Sequence, residues 1–422
     1  IKNKKIFNRL SISSKNLNKY SIFITNFNYK IKKEYIYEAI NKKIPAIITN
    51  RLIKNSITQF LVKDIEKETR KLLFHLKPYK PNKTIAVTGT NGKTSTCWYI
   101  SEICRLNNVK IKMQGTLGYY VNGKKNKNEL LTTPDHITLH QNGFSRSKNH
   151  YNFVFECSSH ALEQDRIKEF PINIAAITNI SHDHLDYHKN FNSYVNAKFK
   201  LFSKYLDSNG IAIINSRLPF LTKLIKILKN KKIKTFLYGN KNIFINKNKN
   251  NEFILTINSN KYLLKNLSLS KFDIENLECA ITCCLQLNIS KKNIVNCLKK
   301  LRPPPGRSEI IYFNKISSKI IVDYAHTPDA LKNILLANTF KNKKPSLIFG
   351  CGGNRDKLKR KLMGKIAFKF ADKVIITDDN PRNEKPNEIR SAIIKYCPKA
   401  IEISNRKKAI LETIKNLDKK TI

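Results

Sequence analysis

Five stretches of this chain have residue types and spacings suited to chemistry on a charged substrate. The first is "VTGTNGKTSTCWYI", residues 87–100, where Gly89 and Gly92 bracket an asparagine and Lys93 and Thr94 follow directly. Asn-Gly by itself reads as a turn. Between a strand and a helix the same residues read as a phosphate cradle, because helix-start N–H groups and the positive end of the helix dipole face an anion there. Lys93 would then reach the β- and γ-phosphates, and the Thr94 hydroxyl would help to hold Mg2+. The usual GxxxxGK(S/T) pattern asks for glycine at position 87, which is Val87 here, so the loop is a variant.

The second stretch is "FECSSHALEQDR", with Glu156 at the end of a strand, and the third is "TNISHDHLDYH" after the next strand. His160, His182, His184 and His188 place four of the nine histidines in this short window. Strand ends in an open α/β sheet converge on one crevice, so Glu156 and His184 are candidate ligands for a metal beside nucleotide phosphates. His182 and His188 read as solvated surface. The fourth stretch, "YVNAKFKLF", carries Lys198 on the following helix, and it too reads as a surface residue, since a cation facing a metal is repelled. The fifth group is C-terminal: "GRSE", "VDYAHTPDAL", "FGCGGNRDKLKRKLMG" and "TDDNPR". Arg355 and Arg382 can each grip a carboxylate through two N–H groups, although either could be a plain surface arginine.

The elements that must position these groups alternate. Residues 1–80 form a small mixed segment, with strands at "YSIFITN" and "PAIIT" around a helical "KKEYIYEAINKK". Strands at "KTIAVTG", "YNFVFE", "INIAAITN" and "GIAIIN" are separated by helices, which indicates a parallel sheet covered on its faces. A β-ribbon is expected over 240–270, then two helices, and "RPPPGR" reads as a linker because three prolines cannot continue a helix. A second alternation follows through "KIIVDY", "PSLIFG", "KVIIT" and "AIEIS". The expected architecture is α/β in three domains: 1–80, a small mixed N-terminal domain; 81–304, a central ATPase-type domain with a mostly parallel sheet; and 305–422, a Rossmann-like domain.

Composition narrows the class. At 422 residues the chain is too long for one core, and its 41% hydrophobic content can build several. It has no apolar run long enough for a membrane span and no secretory leader pattern, and its nine cysteines form no CxxC pair, which fits reduced thiols in a cytoplasm. The formal charge of +48 invites a nucleic-acid reading, but the lysines are spread along the chain together with Asn and Ile. That is compositional drift more than a basic groove, so nucleic acid is not the expected partner. Glycine is scarce, and seven of the 13 fall in three clusters: 89 and 92; 115 and 118; 350, 352 and 353. Such glycines mark sharp bends or close approach to a ligand.

Taken together these motifs closely resemble the Mur ligase family, over nearly the whole chain. "TGTNGKT" matches the family's own loop, which accounts for Val87; folylpolyglutamate synthases share it. "SSHAL.Q.R", "DHLDYH", "VDYAHTPDAL" and "GCGG.RD" are more specific, and "DNPR" is similar to the signature of members that take meso-diaminopimelate. The resemblance implies a cytoplasmic, monomeric, ATP-dependent amide ligase that adds meso-diaminopimelate to UDP-N-acetylmuramoyl-L-alanyl-D-glutamate through an acyl phosphate. It implies that Gly89, Thr90, Asn91, Gly92, Lys93 and Thr94 bind ATP together with Asn276, Arg307 and Asp323. It further implies that Thr94, Glu156 and His184 hold Mg2+, and that Lys198 is carboxylated by CO2, which turns a repelled cation into a metal-bridging anion. Ser14, Thr132, Thr133, Ser158, Gln164 and Arg166 match positions for the UDP-muramoyl dipeptide. Arg355, Asp379, Asn380, Pro381 and Arg382 match the diaminopimelate site.

The chain departs from the family in places. Phe272 and Asn276 remain in "LSLSKFDIEN", while Ser270 and Asp273 replace two expected residues, and "NFNYKIK" fits the uridine-binding loop poorly. The family continues past the position of Ile422 into another strand and a "GKGHE" loop, so a fragment or a shortened, weakened remnant is one expectation. A folylpolyglutamate synthase and a basic nucleic-acid-binding ATPase are the others.

Overall fold

A computed structural model describes residues 7–28, 33–129, 131–148, 150–181, 183–240, 242–250, 252–264, 271–313, 318–339, 343–354 and 356–415. Four short strands, β1 (Arg9–Ser11), β2 (Ser21–Thr25), β3 (Ala46–Thr49) and β4 (Thr58–Leu61), pair in parallel and in chain order. Their buried residues, such as Leu10, Ile22 and Ile48, share a core with Ile137 from a helix of the next domain, His136–Gly143. On that helix the Gln141 amide brackets the Leu10 backbone, accepting from its N–H (3.3 Å) and donating to its carbonyl (2.9 Å).

The central sheet has eight strands: β5 (Thr84–Thr88), β6 (Ile111–Gly115), β7 (Gly118–Val121), β8 (Lys124–Lys127), β9 (Asn152–Glu156), β10 (Ile174–Ile177), β11 (Ile211–Asn215) and β12 (Lys234–Tyr238). Their order is β12-β11-β10-β5-β9-β6-β7-β8, parallel except for the β6-β7-β8 meander. Alternation along each strand splits its apolar residues between two faces. Ile85, Val87 and Val154 pack under the helices Lys93–Leu106 and Lys271–Leu285, while Ala86, Phe153 and Phe155 pack with Tyr194 and Phe202 on the other face. Burial on both faces explains why these strands read as continuous hydrophobic runs. The expected ribbon is an antiparallel three-stranded sheet, β13 (Ile243–Lys247), β14 (Phe253–Ile257) and β15 (Asn260–Leu264).

In the C-terminal part, β16 (Glu309–Phe313) and β17 (Ser318–Val322) form an antiparallel hairpin. The strands β18 (Leu347–Phe349), β19 (Val374–Ile376) and β20 (Ile401–Glu402) are parallel. "KIIVDY" therefore pairs with its sequence neighbour and not, among the described residues, with the parallel strands that the alternation suggested. All nine cysteines are free and buried. Among the described residues no helix is long and apolar enough to cross a membrane.

Candidate active site

Strand order decides which loops meet. β5 lies between β10 and β9, so the loops leaving the C-terminal ends of all three face one crevice. The loop after β5 carries Gly89 at φ +148° and Gly92 at φ +83°, and the helix begins at Lys93. A side chain at Gly89 would put its Cβ 1.9 Å from Thr178 Oγ1, and one at Gly92 would come 2.1 Å from Asn276 Oδ1. Both glycines are thus required by backbone conformation and by space. The loop after β10 holds this turn in place: the Asn91 N–H donates to Asn179 Oδ1 (2.9 Å), the Thr90 N–H donates to the Asn179 carbonyl (2.8 Å), and the Thr178 hydroxyl donates to the Asn91 carbonyl (2.6 Å).

Glu156, at the end of β9, is 2% exposed and therefore no surface carboxylate. It accepts from the Thr94 hydroxyl (2.9 Å), from the Thr116 N–H (2.7 Å) and from the Thr116 hydroxyl (3.3 Å). Gly115 makes room for it, since a Cβ there would stand 2.1 Å from Glu156 Oε1. Lys198, expected at the surface, is 1% exposed. Its Nζ donates to the Gly89 carbonyl (2.8 Å) and lies 4.5 Å from the centre of the Tyr194 ring. The Tyr194 hydroxyl in turn shares a hydrogen bond with Thr90 Oγ1 (2.9 Å). Lys93 Nζ folds back onto the carbonyls of Gly89 and Thr90, both at 2.8 Å.

The C-terminal part closes the other side of a cavity of about 780 Å³, lined among others by Asn91, Lys93, Glu156, His184, Arg307 and Arg382. Among the described residues, three contacts cross the cleft. Arg307 donates to Thr94 Oγ1 (3.2 Å), the Thr327 hydroxyl reaches Asn91 Oδ1 (3.4 Å), and Lys359 Nζ stands 3.7 Å from Asp183. Arg307 also lies over the Tyr324 ring, and Asp323 accepts from the N–H groups of Ser308 and Ala325, each at 2.7 Å.

Two family models match the chain: the Mur ligase middle domain over residues 87–284 and the Mur ligase glutamate ligase domain over residues 306–422. A UDP-N-acetylmuramoyl-L-alanyl-D-glutamate--2,6-diaminopimelate ligase from Rickettsia bellii is 37% identical over 435 residues, covering 99% of this chain and 91% of that protein. This chain belongs to the Mur ligase family. A solved structure of a ligase of the same name is 29% identical, with a TM-score of 0.61, and the match covers 99% of this chain and 88% of that one. A MurF ligase from Thermotoga maritima in complex with ADP shares the fold, with a TM-score of 0.70 at 17% identity over 99% of this chain and 93% of that one.

Within this Mur ligase the other sequence-derived positions fall into three places. Thr132 and Ser158 line the cavity, and Thr133 lies beneath them, donating to the Glu156 carbonyl (2.8 Å) and accepting from the Ser158 N–H (2.9 Å). Arg166 grips the Gln164 side chain and donates to the Thr133 carbonyl (2.9 Å). Asp379, Asn380 and Arg382 line the cavity while Pro381 is not among its lining residues, and Arg382 donates to the Gly353 carbonyl (2.8 Å). Ser14 is the outlier: it is buried in the N-terminal sheet domain, outside the cavity wall, with its hydroxyl on Glu38 (2.6 Å). Arg355, His182, Ser270 and the side chain of Phe272 lie outside the described residues.

Burial, opposed by Asp183 and reinforced by His160, Lys93 and Lys198, pushes the His184 ring down to about 3, so it is neutral at ordinary pH and able to act as a ligand. Burial, and next the neighbouring Lys93, holds the Lys198 amine well below its usual range. His188 is buried, not solvated, packed edge-on or tilted against the rings of His160, Tyr187 and Tyr194. Sequence reading passed over Thr116, Asp183, Tyr194 and Lys359. Thr116 follows Gly115 in one of the three glycine clusters, and that was the only signal available. The third cluster has a local cause as well: Cβ atoms at Gly350 and Gly353 would stand 2.2 Å from the Thr377 carbonyl oxygen and 1.9 Å from the Pro381 carbonyl oxygen.

Proposed function

We propose that this chain is an ATP-dependent amide ligase that joins meso-diaminopimelate to UDP-N-acetylmuramoyl-L-alanyl-D-glutamate in the cytoplasm, through an acyl phosphate. The observation that carries this reading is that the Lys93 loop, Glu156, His184 and Arg382 border one cavity. The name of the Rickettsia bellii relative supports the choice of substrates.

The residues suit that chemistry. The N–H groups at the start of the Lys93–Leu106 helix receive the phosphates, and Lys93 turns from its backbone carbonyls onto the β- and γ-phosphate oxygens. Thr94 and Glu156 suit Mg2+: the hydroxyl oxygen of Thr94 lies 2.9 Å from the carboxylate of Glu156 and both are hard oxygen donors, while His184 borders the same cavity with a neutral ring nitrogen. Bound there, Mg2+ would neutralise charge on the transferring phosphoryl group. Lys198 as a free amine adds no anionic ligand. Its uncharged state, however, is the form able to attack CO2, and carboxylation would give the site a further carboxylate.

The terminal carboxylate of the UDP-linked substrate attacks the γ-phosphorus, and the bond to the ADP oxygen breaks. The amine of diaminopimelate then attacks the acyl carbon, loses a proton, and displaces phosphate. Thr132 and Ser158 hold the acyl substrate, while Asp379, Asn380 and Arg382 orient the amino acid. Contacts from Arg307, Thr327 and Lys359 across the cleft keep the C-terminal part closed and exclude water from the acyl phosphate.

The test is phosphate release with ATP and the UDP-muramoyl dipeptide. Diaminopimelate should stimulate it strongly and lysine hardly at all, because the Arg382 pocket is left unpaired by an amino acid lacking the second carboxylate. Equal stimulation by both removes the role given to Arg382, and no release with either removes the ligase reading.

A further inference from the structure

Two loops of the C-terminal part meet edge to edge: residues 350–354 after β18 and residues 377–384 after β19. The Gly353 N–H donates to the Asn380 carbonyl (2.9 Å), and the Asn383 N–H donates to Asn354 Oδ1 (2.9 Å). Asn354 and Arg382 both sit at φ +50°, a left-handed conformation that non-glycine residues keep only when neighbours hold it. Glu384 closes the seam. Its carboxylate accepts from the Asn354 N–H, its own N–H donates to the Pro381 carbonyl (3.0 Å), and Arg360 donates to the carboxylate at 2.9 Å. Arg360 comes from the helix Leu358–Phe370, is 5% exposed, and borders the cavity.

We infer that Arg360 and Glu384 are positioning residues that set selectivity for the second carboxylate of the amino-acid substrate, an inference that rests on the function proposed above. Among the described residues, arginines 360, 382 and 406 border the cavity beside these loops, Arg406 reaching the Asp378 carbonyl at 3.4 Å. Glu384 neutralises Arg360, which leaves the Arg382 guanidinium, on the clamped loop, for the incoming carboxylate. The same carboxylate clamps the loop that carries Arg382, so little ordering remains to be done when the substrate binds. The Arg360 hydrogen bond and the Asn354 N–H together hold the Glu384 carboxyl down to about 2, so the clamp stays charged throughout the working range. Without it, Arg360 would be a bare charge at the wall and would compete for the substrate in the wrong register.

The experiment compares steady-state kinetics of the unaltered enzyme with Glu384→Gln, Arg360→Lys and a control, Glu402→Gln, which breaks a different ion pair of the same domain. Glu384→Gln should raise KM for diaminopimelate about tenfold or more, leave KM for ATP and for the UDP-substrate within about twofold, and narrow the preference over lysine. Arg360→Lys keeps the charge and loses the fork, and should shift the same two quantities less. Glu402→Gln should shift neither. An unchanged diaminopimelate KM in both clamp variants, an equal rise in all three KM values, or the same effect from Glu402→Gln overturns the inference. Failure of the unaltered enzyme to distinguish diaminopimelate from lysine would instead count against the function on which it rests.

Discussion

Lys93 and Lys198 donate to the same acceptor: each Nζ lies 2.8 Å from the carbonyl oxygen of Gly89. Two ammonium groups cannot share one buried carbonyl without strong repulsion, and burial already disfavours charge on each of them. Lys198 is the more deeply buried, and burial, with Lys93 next, holds its amine well below the usual range. An uncharged amine is nucleophilic, which is the chemical condition for its proposed carboxylation.

Lys198→Ala should therefore lose about 100-fold or more in kcat, and a short carboxylic acid such as acetate should restore part of it by occupying the vacated space with an anion. Depleting CO2 and bicarbonate should reduce the activity of the unaltered enzyme and leave that of the variant unchanged. Full activity of the unrescued variant in the phosphate-release assay would remove Lys198 from the site.

Gly115→Ala tests the seat of Glu156. The new methyl group would collide with a buried carboxylate that already carries hydrogen bonds from Thr94 and Thr116. The expected outcome is about 1–3 kcal/mol of destabilisation in denaturant titration, with kcat reduced far more than KM for ATP.

The Lys359–Asp183 contact joins the C-terminal part to the loop that carries His184. Lys359→Met should lower kcat/KM about three- to tenfold, and Lys359→Arg should recover most of it. The gap between Met variant and parent should narrow as ionic strength rises, because screening weakens the parent's ion pair. Small-angle scattering of the Met variant with nucleotide bound should show a more open particle.

Glu278, which is not among the residues that line the cavity, provides a pH test. Its carboxyl is buried on the helix Lys271–Leu285, accepts from the Ile245 N–H (2.7 Å), and is pushed by burial up to about 7. Because the folded-state value lies above that of an unfolded glutamate, the folded chain holds the proton more tightly between about pH 4.5 and 7. Stability is then complete below that window and falls as pH rises through it. Glu278→Gln should match the parent at pH 4 and exceed it at pH 8, by at most about 3 kcal/mol in chemical denaturation. An equal difference at both pH values would refute the assignment.

Much of the fold could be read from the chain because its cues are local. The runs at 84–88, 152–156 and 174–177 are apolar and short, the linker is proline-rich, and the scarce glycines at 89 and 92 stand where the backbone turns into a helix. A φ of +83° is a demand that a single residue type meets, so it leaves a mark in composition. "KIIVDY" was legible as a strand, but not as the partner of the strand before it, since pairing depends on what is nearby in space.

The sequence by itself determined the phosphate-loop motif, the acid and imidazole candidates, and the two C-terminal motifs that contain Arg355 and Arg382. Only the tertiary structure decided that Lys198 is buried against Gly89, that Thr116 seats Glu156, that Ser14 is committed to Glu38, and that Lys359 reaches Asp183 across the cleft. The physical reason is that a side chain's charge state and partners depend on the desolvation and fields of residues scores of positions away. A motif specifies which groups are present; packing sets what each of them costs to ionise and what it can touch.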